Sequence, residues 1–233
     1  MNQKEIQEVA KDFEGLAEVD TGFMAHELHR MNPEDRLAVV QQIREDESKN
    51  PSPGLPKLEF TDSGDFKSSD EKLPNGDGLH AEYDPATGEL ISAHYAYTGA
   101  SSRLEHVKCE ARDERGEGGN CSKDVTFANG GRIEYNQSGQ INKLIYNPGW
   151  EKTIEYDASG RVSKLVDSPG QRSEWVLSRQ PDGSWLSVSE GKSDKYPVYD
   201  IRVTPDGDLV FETQPGQKDP TTLLGPSKSP IRR

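Results

Sequence analysis

From residue 57 onward, the hydrophobic positions of the chain repeat in a strand–turn–strand pattern. Two 12-residue segments with seven identical positions begin at Ile133 and Ile154, 21 residues apart. In each segment, apolar residues alternate before a glycine, so their side chains share one face of a strand. A turn that begins with Asn or Asp and ends with Gly reverses the chain. The apolar residues that follow have a spacing of three, which indicates either a β-bulge or a switch of face in the return strand. An internal repeat of this period indicates that the structural unit is a β-hairpin.

The same template fits four other places in the chain. The turn glycines that it predicts are Gly64, Gly88, Gly139, Gly160, Gly183 and Gly207. The long interval between the second and third of these predicts one degenerate hairpin with its tip in residues 112–119. We therefore expect a mainly β protein, an extended antiparallel sheet of about seven successive hairpins forming one continuous surface.

The N-terminal residues 1–47 have a different, helical period. Ile6 and Phe13 lie on one stripe, and Asn32 followed by Pro33 is typical of a helix start. Such a small helical unit cannot bury much surface alone, so it either caps the first hairpin or docks on a partner. An uncovered terminal strand would favour self-association through its edge.

The positions of proline and glycine indicate the remaining boundaries between segments of the chain. Three prolines in residues 48–56 predict a linker, because proline blocks both helices and central strands. The hairpin domain then covers 57–213. Residues 214–233 are polar and rich in proline and glycine, which predicts a flexible C-terminal tail.

Composition narrows the classes of partner. The 233 residues carry a formal net charge of −13, which repels phosphate backbones and argues against nucleic-acid binding. The longest aliphatic run, Leu37–Val40, is far too short to span a membrane, so no membrane insertion is expected. The charged N-terminus does not have the pattern of a secretory signal. The shortage of large aliphatic residues predicts a thin sheet with one apolar and one wet face.

The repeat resembles a known family. Tyr156-Asp157, Gly160-Arg161-Val162 and the closing Gly170 are similar to the motif of the YD-repeat (rearrangement-hotspot, or Rhs, and teneurin-like) family. The resemblance implies hairpin sheets that often build a shell around a toxic or adhesive segment. This chain is long enough for only a fraction of such a shell. A non-enzymatic scaffold or interaction module of a surface or secreted protein, with a protein partner, fits it better.

The only two cysteines, Cys109 and Cys121, flank the degenerate hairpin. In paired strands they can lie opposite each other and form a disulfide, which would stabilise a short loop by about 3 kcal/mol. A disulfide would favour an extracellular or cell-surface location. Two free thiols, or redox or metal chemistry, are the alternatives.

The aromatic residues offer a second function. Trp150, Trp175, Trp185 and Tyr156, with several other tyrosines including Tyr199, could form a ligand-stacking strip on the sheet. That strip would make the protein a carbohydrate-binding module with a glycan as partner. Aromatic residues are also what a half-buried β surface prefers, and this is the structural interpretation.

Motifs for catalysis or cofactor binding do not stand out. His26 and His29 share a helix face but lack the zincin spacing, and the loop that begins at Asn75 fits no register of a calcium-binding EF-hand. We therefore predict no metal, no cofactor and no enzymatic activity.

Overall fold

The computed structural model describes residues 1–50, 54–73, 75–98, 103–110, 119–147, 149–196, 200–212 and 221–228. Three helices come first, α1 (Gln3–Val19), α2 (Thr21–Arg30) and α3 (Pro33–Lys49). The strands that follow are β1 (Lys57–Phe60), β2 (Phe66–Lys72), β3 (Gly78–Tyr83), β4 (Leu90–Ala96), β5 (Arg103–Cys109), β6 (Cys121–Phe127), β7 (Arg132–Tyr135), β8 (Ile141–Asn147), β9 (Trp150–Tyr156), β10 (Val162–Asp167), β11 (Trp175–Arg179), β12 (Trp185–Ser189), β13 (Lys192–Tyr196), β14 (Asp200–Val203), β15 (Leu209–Glu212) and β16 (Thr221–Leu223). A 3₁₀ helix (Pro226–Lys228) follows β16. Within the described ranges, none of the helices is both long and apolar enough to span a bilayer.

The strands form two antiparallel sheets. Strands β1 to β13 pair in sequence order in one large sheet, and β14, β15 and β16 form a small one. This confirms the predicted mainly β fold with helices at the N-terminus. Six of the predicted hairpins belong to the large sheet, and the tip of the degenerate hairpin between β5 and β6 lies outside the described residues.

The hairpin predicted at Gly207 does not continue the large sheet as expected. It is formed by β14 and β15 in the small sheet. Its residues Ile201 and Leu209 are buried in the same hydrophobic cluster as residues of the large sheet. Stacking therefore buries apolar side chains of this hairpin that side-by-side pairing would leave on an open face.

The two copies of the repeat form the predicted turn with the same backbone hydrogen bonds. At the first, Asn136 N donates to Gln140 O at 2.8 Å, and Gly139 N donates to Asn136 O at 2.9 Å; Asp157 and Gly160 repeat both bonds in the second copy. The glycines have φ of +74° and +80°, a region that favours glycine. The pairing register shifts next to each turn, which agrees with the first of the two predicted alternatives, a β-bulge.

The chain divides into two compact units. The first comprises Met1–Thr98 and Glu105–Cys121, and the second comprises Gly99–Leu104 and Ser122–Arg233. In the first unit, the helices and strands β1 to β3 share one hydrophobic cluster, which includes Phe13, Met24, Val39, Phe66 and Tyr83. One hydrophobic core therefore includes residues from both sides of residue 57. The apolar stripes of the helices bury themselves against the first strands.

Each helix begins with a side-chain cap. Asn2 and Glu5 form a reciprocal capping box, and Asp20 accepts a hydrogen bond from Phe23 N. Asn32 accepts one from Asp35 N, with Pro33 in the first turn, as the sequence predicts. These caps satisfy amide groups that helix starts otherwise leave unpaired.

In the second unit, the small sheet and the 3₁₀ helix pack on one face of the large sheet. Leu144, Leu165 and Trp185 are fully buried there. The prediction of a flexible tail in residues 214–233 is partly wrong, because residues 221–228 form β16 and the 3₁₀ helix. Pro226 is buried, its carbonyl accepts a hydrogen bond from Asn129 Nδ2 at 2.7 Å, and Gly225 N donates to Asp208 at 2.6 Å.

Candidate functional site

The second unit contains a groove of about 660 Å³. Its floor consists of residues next to the turns of the β7–β8 and β9–β10 hairpins, which are the two best copies of the repeat. Strand β14 and the first residues of the turn after it form the opposite wall. The groove therefore lies where the repeated hairpins meet the small sheet.

The bulged hairpins present a matched pair of residues at each turn. Tyr135 pairs with Ile141 in the first copy, and Tyr156 pairs with Val162 in the second. All four line the groove. Because directly opposite residues of an antiparallel pair share a face, each hairpin contributes one tyrosine and one aliphatic side chain to the floor.

A hydrogen bond joins the two copies. Tyr156 Oη donates to the backbone oxygen of Ile141 at 2.6 Å. Burial raises the pKa of the Tyr156 phenol to about 12, so the group remains a neutral donor at physiological pH. Gln140 Nε2 also donates to Gly160 O at 3.4 Å, which links the two turns at the rim.

The turn that begins at Asp157 fixes the cationic side of the rim. Asp157 Oδ1 accepts hydrogen bonds from Ser159 Oγ and from the backbone nitrogens of Ser159 and Arg161. The bond from the Ser159 hydroxyl and the amide bonds lower the pKa of Asp157 to about 2. The guanidinium of Arg161 lies at the groove rim, and its Nε is 3.4 Å from Asp157 Oδ2.

Strand β14 is an edge strand of the small sheet. It pairs with β15 along one side, and among the described residues no strand pairs with its other side. Its side chains are held from two directions. Arg202 Nε donates to Glu212 Oε1 at 2.9 Å, while Asp200 accepts from Arg179 Nη1 of β11 at 2.8 Å. The wall is thus a braced, extended strand.

The charge of the groove differs from that of the chain as a whole. Three cationic side chains line it, those of Lys123, Arg161 and Arg202, against the two carboxylates of Asp200 and Glu212. The sequence carries a net charge of −13. The lining therefore carries an excess of one positive charge on an acidic protein, with Asp157 beside Arg161 at the rim.

The four aromatic residues predicted to stack on a ligand do not form one exposed strip. Trp185 is fully buried, and Trp175 donates from Nε1 to Ser187 Oγ at 2.6 Å. Trp150 stacks on Tyr146 with ring centroids 4.5 Å apart. Of the four, only Tyr156 lines the groove, and Tyr199 lies outside the described residues.

The cause is the register of the strands. Trp175 lies opposite Asp167, which lies opposite Lys152, and Lys152 lies opposite Leu144, a core residue. These residues therefore share the face that the small sheet covers. Lys152 is buried there, ion-paired with Asp167, with Nζ 5.8 Å from the ring centroid of Trp150. In this arrangement the tryptophans pack in or against the hydrophobic core.

All six predicted turn glycines have positive φ. The structure brings two of them, Gly139 and Gly160, to the groove. Two further turns, at Gly76 and Gly130, have the same pair of backbone hydrogen bonds and were missed. They connect consecutive hairpins, where the alternation of apolar residues that guided the template is weaker.

The predicted disulfide between Cys109 and Cys121 is present, with Cα atoms 4.0 Å apart. It lies in the first unit beside a smaller cavity of about 400 Å³ that His26 and Tyr83 also line. Glu110 N donates to Asn120 O at 3.0 Å next to the bridge. The predicted pairing of the two flanking strands therefore accounts for the bridge.

No further metal ligand joins His26 and His29 in the part of the chain that the structure describes. Among the described residues, no group of three His, Cys, Asp or Glu side chains is arranged to hold a metal ion. A different set of histidines, on β3, β4 and β5, is brought together by strand pairing. No motif in the sequence marks this set, although the position of His80 and His94 on either side of the Gly88 turn is a usable signal.

In comparisons with known proteins, no protein-family model and no curated protein matches this chain. The resemblance to the YD-repeat family stays a prediction.

Proposed function

We propose that the protein is a non-enzymatic, YD-repeat-like β scaffold that serves as an interaction module, and that its groove binds an extended segment of a partner protein. The observation that supports this most is an edge strand, β14, that lines a groove of about 660 Å³ beside two repeated hairpins. An edge strand offers backbone donors and acceptors to an incoming strand, which is a recurring mode of peptide recognition.

The chemistry of the groove favours one kind of segment. The four residues of β14 present about 13 Å of strand, since a strand rises about 3.3 Å per residue. On the floor, Tyr135 and Tyr156 alternate with Ile141 and Val162, which suits apolar side chains. The lining has one more cation than it has carboxylates, which favours an acidic ligand over a basic one. The proposed ligand is therefore a short, extended segment with apolar and acidic residues.

The disulfide supports the predicted location. Disulfides persist in oxidising compartments, so Cys109–Cys121 fits a role outside the cell or at the cell surface. The glycan-binding alternative has less support. Three of the four proposed stacking residues contact other protein groups and not a common open surface.

The test is selection of linear peptides from a random display library against the full chain, followed by affinity measurements on the peptides recovered. We expect enrichment of sequences with carboxylates, bound by the wild type and about fivefold more weakly by Arg161→Glu. Arg172→Glu is the matched control, because Arg172 is exposed, carries the same charge and does not line the groove. Equal binding by both variants would place the peptide elsewhere and contradict the proposal.

Backbone pairing has its own test. A recovered peptide methylated at the amide nitrogens of alternate residues keeps its side chains but loses the donors of one edge. One of the two possible methylation sets should abolish binding and the other should leave it intact. If both sets bind as well as the parent peptide, strand addition is wrong. A glycan array run with the same variants reports on the alternative, and a glycan lost only with Arg161→Glu would support it instead.

A further inference from the structure

Three of the five histidines in the sequence lie side by side in the first unit. His80 of β3 lies directly opposite His94 of β4, and Asp70 of β2 lies directly opposite His80. The ring of His106 of β5 lies 4.8 Å from that of His94, centroid to centroid. We call Asp70, His80, His94 and His106 the histidine row. It crosses four neighbouring strands of the large sheet.

The histidine row is on the wet face of these strands. The neighbouring cross-strand pair, Ala81 and Ala93, is buried, and Ala81 belongs to the cluster that the helices cover. Since successive side chains of a strand point to opposite faces, His80 and His94 point away from that core. The imidazole of His80 is 41% exposed, so solutes have access to it.

Carboxylates orient the first imidazole of the row. Asp70 Oδ1 lies 2.7 Å from His80 Nδ1, and Glu82 Oε1 lies 3.7 Å from His80 Nε2. A carboxylate on one ring nitrogen holds the ring and increases the donor strength of the other nitrogen, which is the usual arrangement around metal-binding histidines. Ser92 Oγ donates to Glu82 Oε2 at 2.9 Å and restrains that side chain.

We propose that the histidine row binds a late first-row divalent metal ion, Cu²⁺, Ni²⁺ or Zn²⁺. His80 Nε2 and one imidazole nitrogen of His94 are the principal ligands. Directly opposite residues of antiparallel strands have Cβ atoms about 5 Å apart, so two imidazoles can reach one ion after side-chain rotation. Glu82 or His106 and water complete the coordination. Imidazole and carboxylate donors suit these ions, with Cu²⁺ bound most tightly.

The row is not a preformed cage, since no three such side chains in the described residues already converge on one point. Binding therefore requires rotation of side chains on a rigid backbone. Asp70 is a positioning residue in this proposal, because it contacts His80 and not the ion. The proposal is independent of the groove and of the function proposed for it.

The experiment is a calorimetric titration of the full chain, without an affinity tag, with CuCl₂, NiCl₂ or ZnCl₂. We expect one ion per chain and at least tenfold weaker binding in His94→Asn. His26→Asn is the matched control, since it removes one exposed histidine from a helix of the same unit. Asp70→Asn should weaken binding by about tenfold or more, as loss of an orienting carboxylate does.

A second readout separates ligation from a folding defect. In the wild type, paramagnetic Cu²⁺ should broaden the imidazole NMR signals of His80 and His94 before that of His26, while the far-UV spectrum of each variant stays unchanged. Equal affinities of His94→Asn and His26→Asn, or broadening that begins at His26, would overturn the proposal. So would the absence of heat for all three ions at millimolar concentration.

Discussion

The two units cover the apolar face of their hairpins with different kinds of secondary structure. In both units, the hairpins have one apolar face that would contact water if no other element covered it. In the first unit three helices cover the face of β1 to β3, and in the second a three-stranded sheet and a 3₁₀ helix cover the face of β7 to β12. The comparison shows that this hairpin unit specifies its own shape and an apolar face, but not the kind of element that covers the face.

The turn glycines show the difference at atomic scale. A Cβ added at Gly88 would lie 3.0 Å from Ala25 O of α2, and one added at Gly64 would lie 3.1 Å from Leu37 Cα of α3. Nothing lies within 4 Å of a Cβ added at Gly139. These turns therefore need glycine for the backbone angle, and at Gly64 and Gly88 also for the close approach of a helix.

The largest effect should come from matched deletions in the two cores. Leu28 and Leu165 are 1% and 0% exposed, and Leu→Ala at such sites costs about 2–5 kcal/mol. We expect Leu28→Ala to speed amide exchange in the helices and β1 to β3, and Leu165→Ala in β7 to β12. Val188→Ala, at a site 39% exposed, should cost less than about 0.5 kcal/mol in urea denaturation. A Leu28→Ala variant as stable as Val188→Ala would mean that the helices are not a true cover.

The next largest effect on stability should come from alanine substitutions of turn glycines in the two units. Gly139→Ala should cost about 1–2 kcal/mol, because an alanine must adopt a left-handed conformation. Gly88→Ala should cost about 1–3 kcal/mol more, since the methyl group also meets the backbone of α2. Thermal or urea unfolding of both variants measures the difference. Equal losses of unfolding free energy in the two variants would show that the helix moves away from the added methyl group at no cost.

One ion pair joins the helices to the large sheet, and another joins the small sheet to it. Their contributions to the free energy of unfolding should differ by a smaller amount. Arg36 of α3 and Asp65, 2.8 Å apart, are 9% and 17% exposed. In the pair of Arg179 with Asp200 of β14, also 2.8 Å apart, the arginine is 16% exposed but the aspartate is 52% exposed and screened by solvent. Asp65→Asn should cost about 1–3 kcal/mol because a buried guanidinium loses its counter-charge. Asp200→Asn should cost less than about 1 kcal/mol. Chemical denaturation in low and high salt distinguishes them, and the reverse order would contradict the burial of Arg36.

The smallest effect concerns pH and the two copies of the repeat. The pKa of Asp157 is about 2 in the folded chain against an ordinary value of 3.8, so its contribution to stability is present above pH 3.8 and lost as the pH falls toward 2. Asp157→Asn should remove that acid sensitivity while keeping the turn, since Asn136 makes the same amide contacts in the other copy.

The reciprocal variant is the control for this prediction. Asn136→Asp should add acid sensitivity over the same pH range, and the double exchange should restore the behaviour of the wild type. Urea midpoints measured between pH 5 and pH 2 give the comparison. If both single variants follow the wild-type pH profile, the turn carboxylate has no role in acid stability.

Local patterns allowed prediction of many features that depend on neighbours in sequence, although the turns at Gly76 and Gly130 were missed. The turns, the bulges beside Tyr135 and Tyr156, the cap at Asn32 and the Cys109–Cys121 bridge all follow from spacing within one hairpin or helix. Packing between distant elements was not predictable in this way. Nothing local to Trp185 or Gly207 shows that the last hairpin folds over the sheet and does not extend it. For the same reason the groove, whose two walls come from separate parts of the chain, was not anticipated.

The bridge between Cys109 and Cys121 has a further consequence for how the chain responds to damage. Because the bond closes a ring of the backbone, a protease that cuts once between these two positions opens the ring without releasing a fragment. The nicked molecule would migrate at full mass in non-reducing electrophoresis and separate into two pieces only after a reductant is added. Such a cut would stay silent under oxidising conditions and become visible under reducing ones.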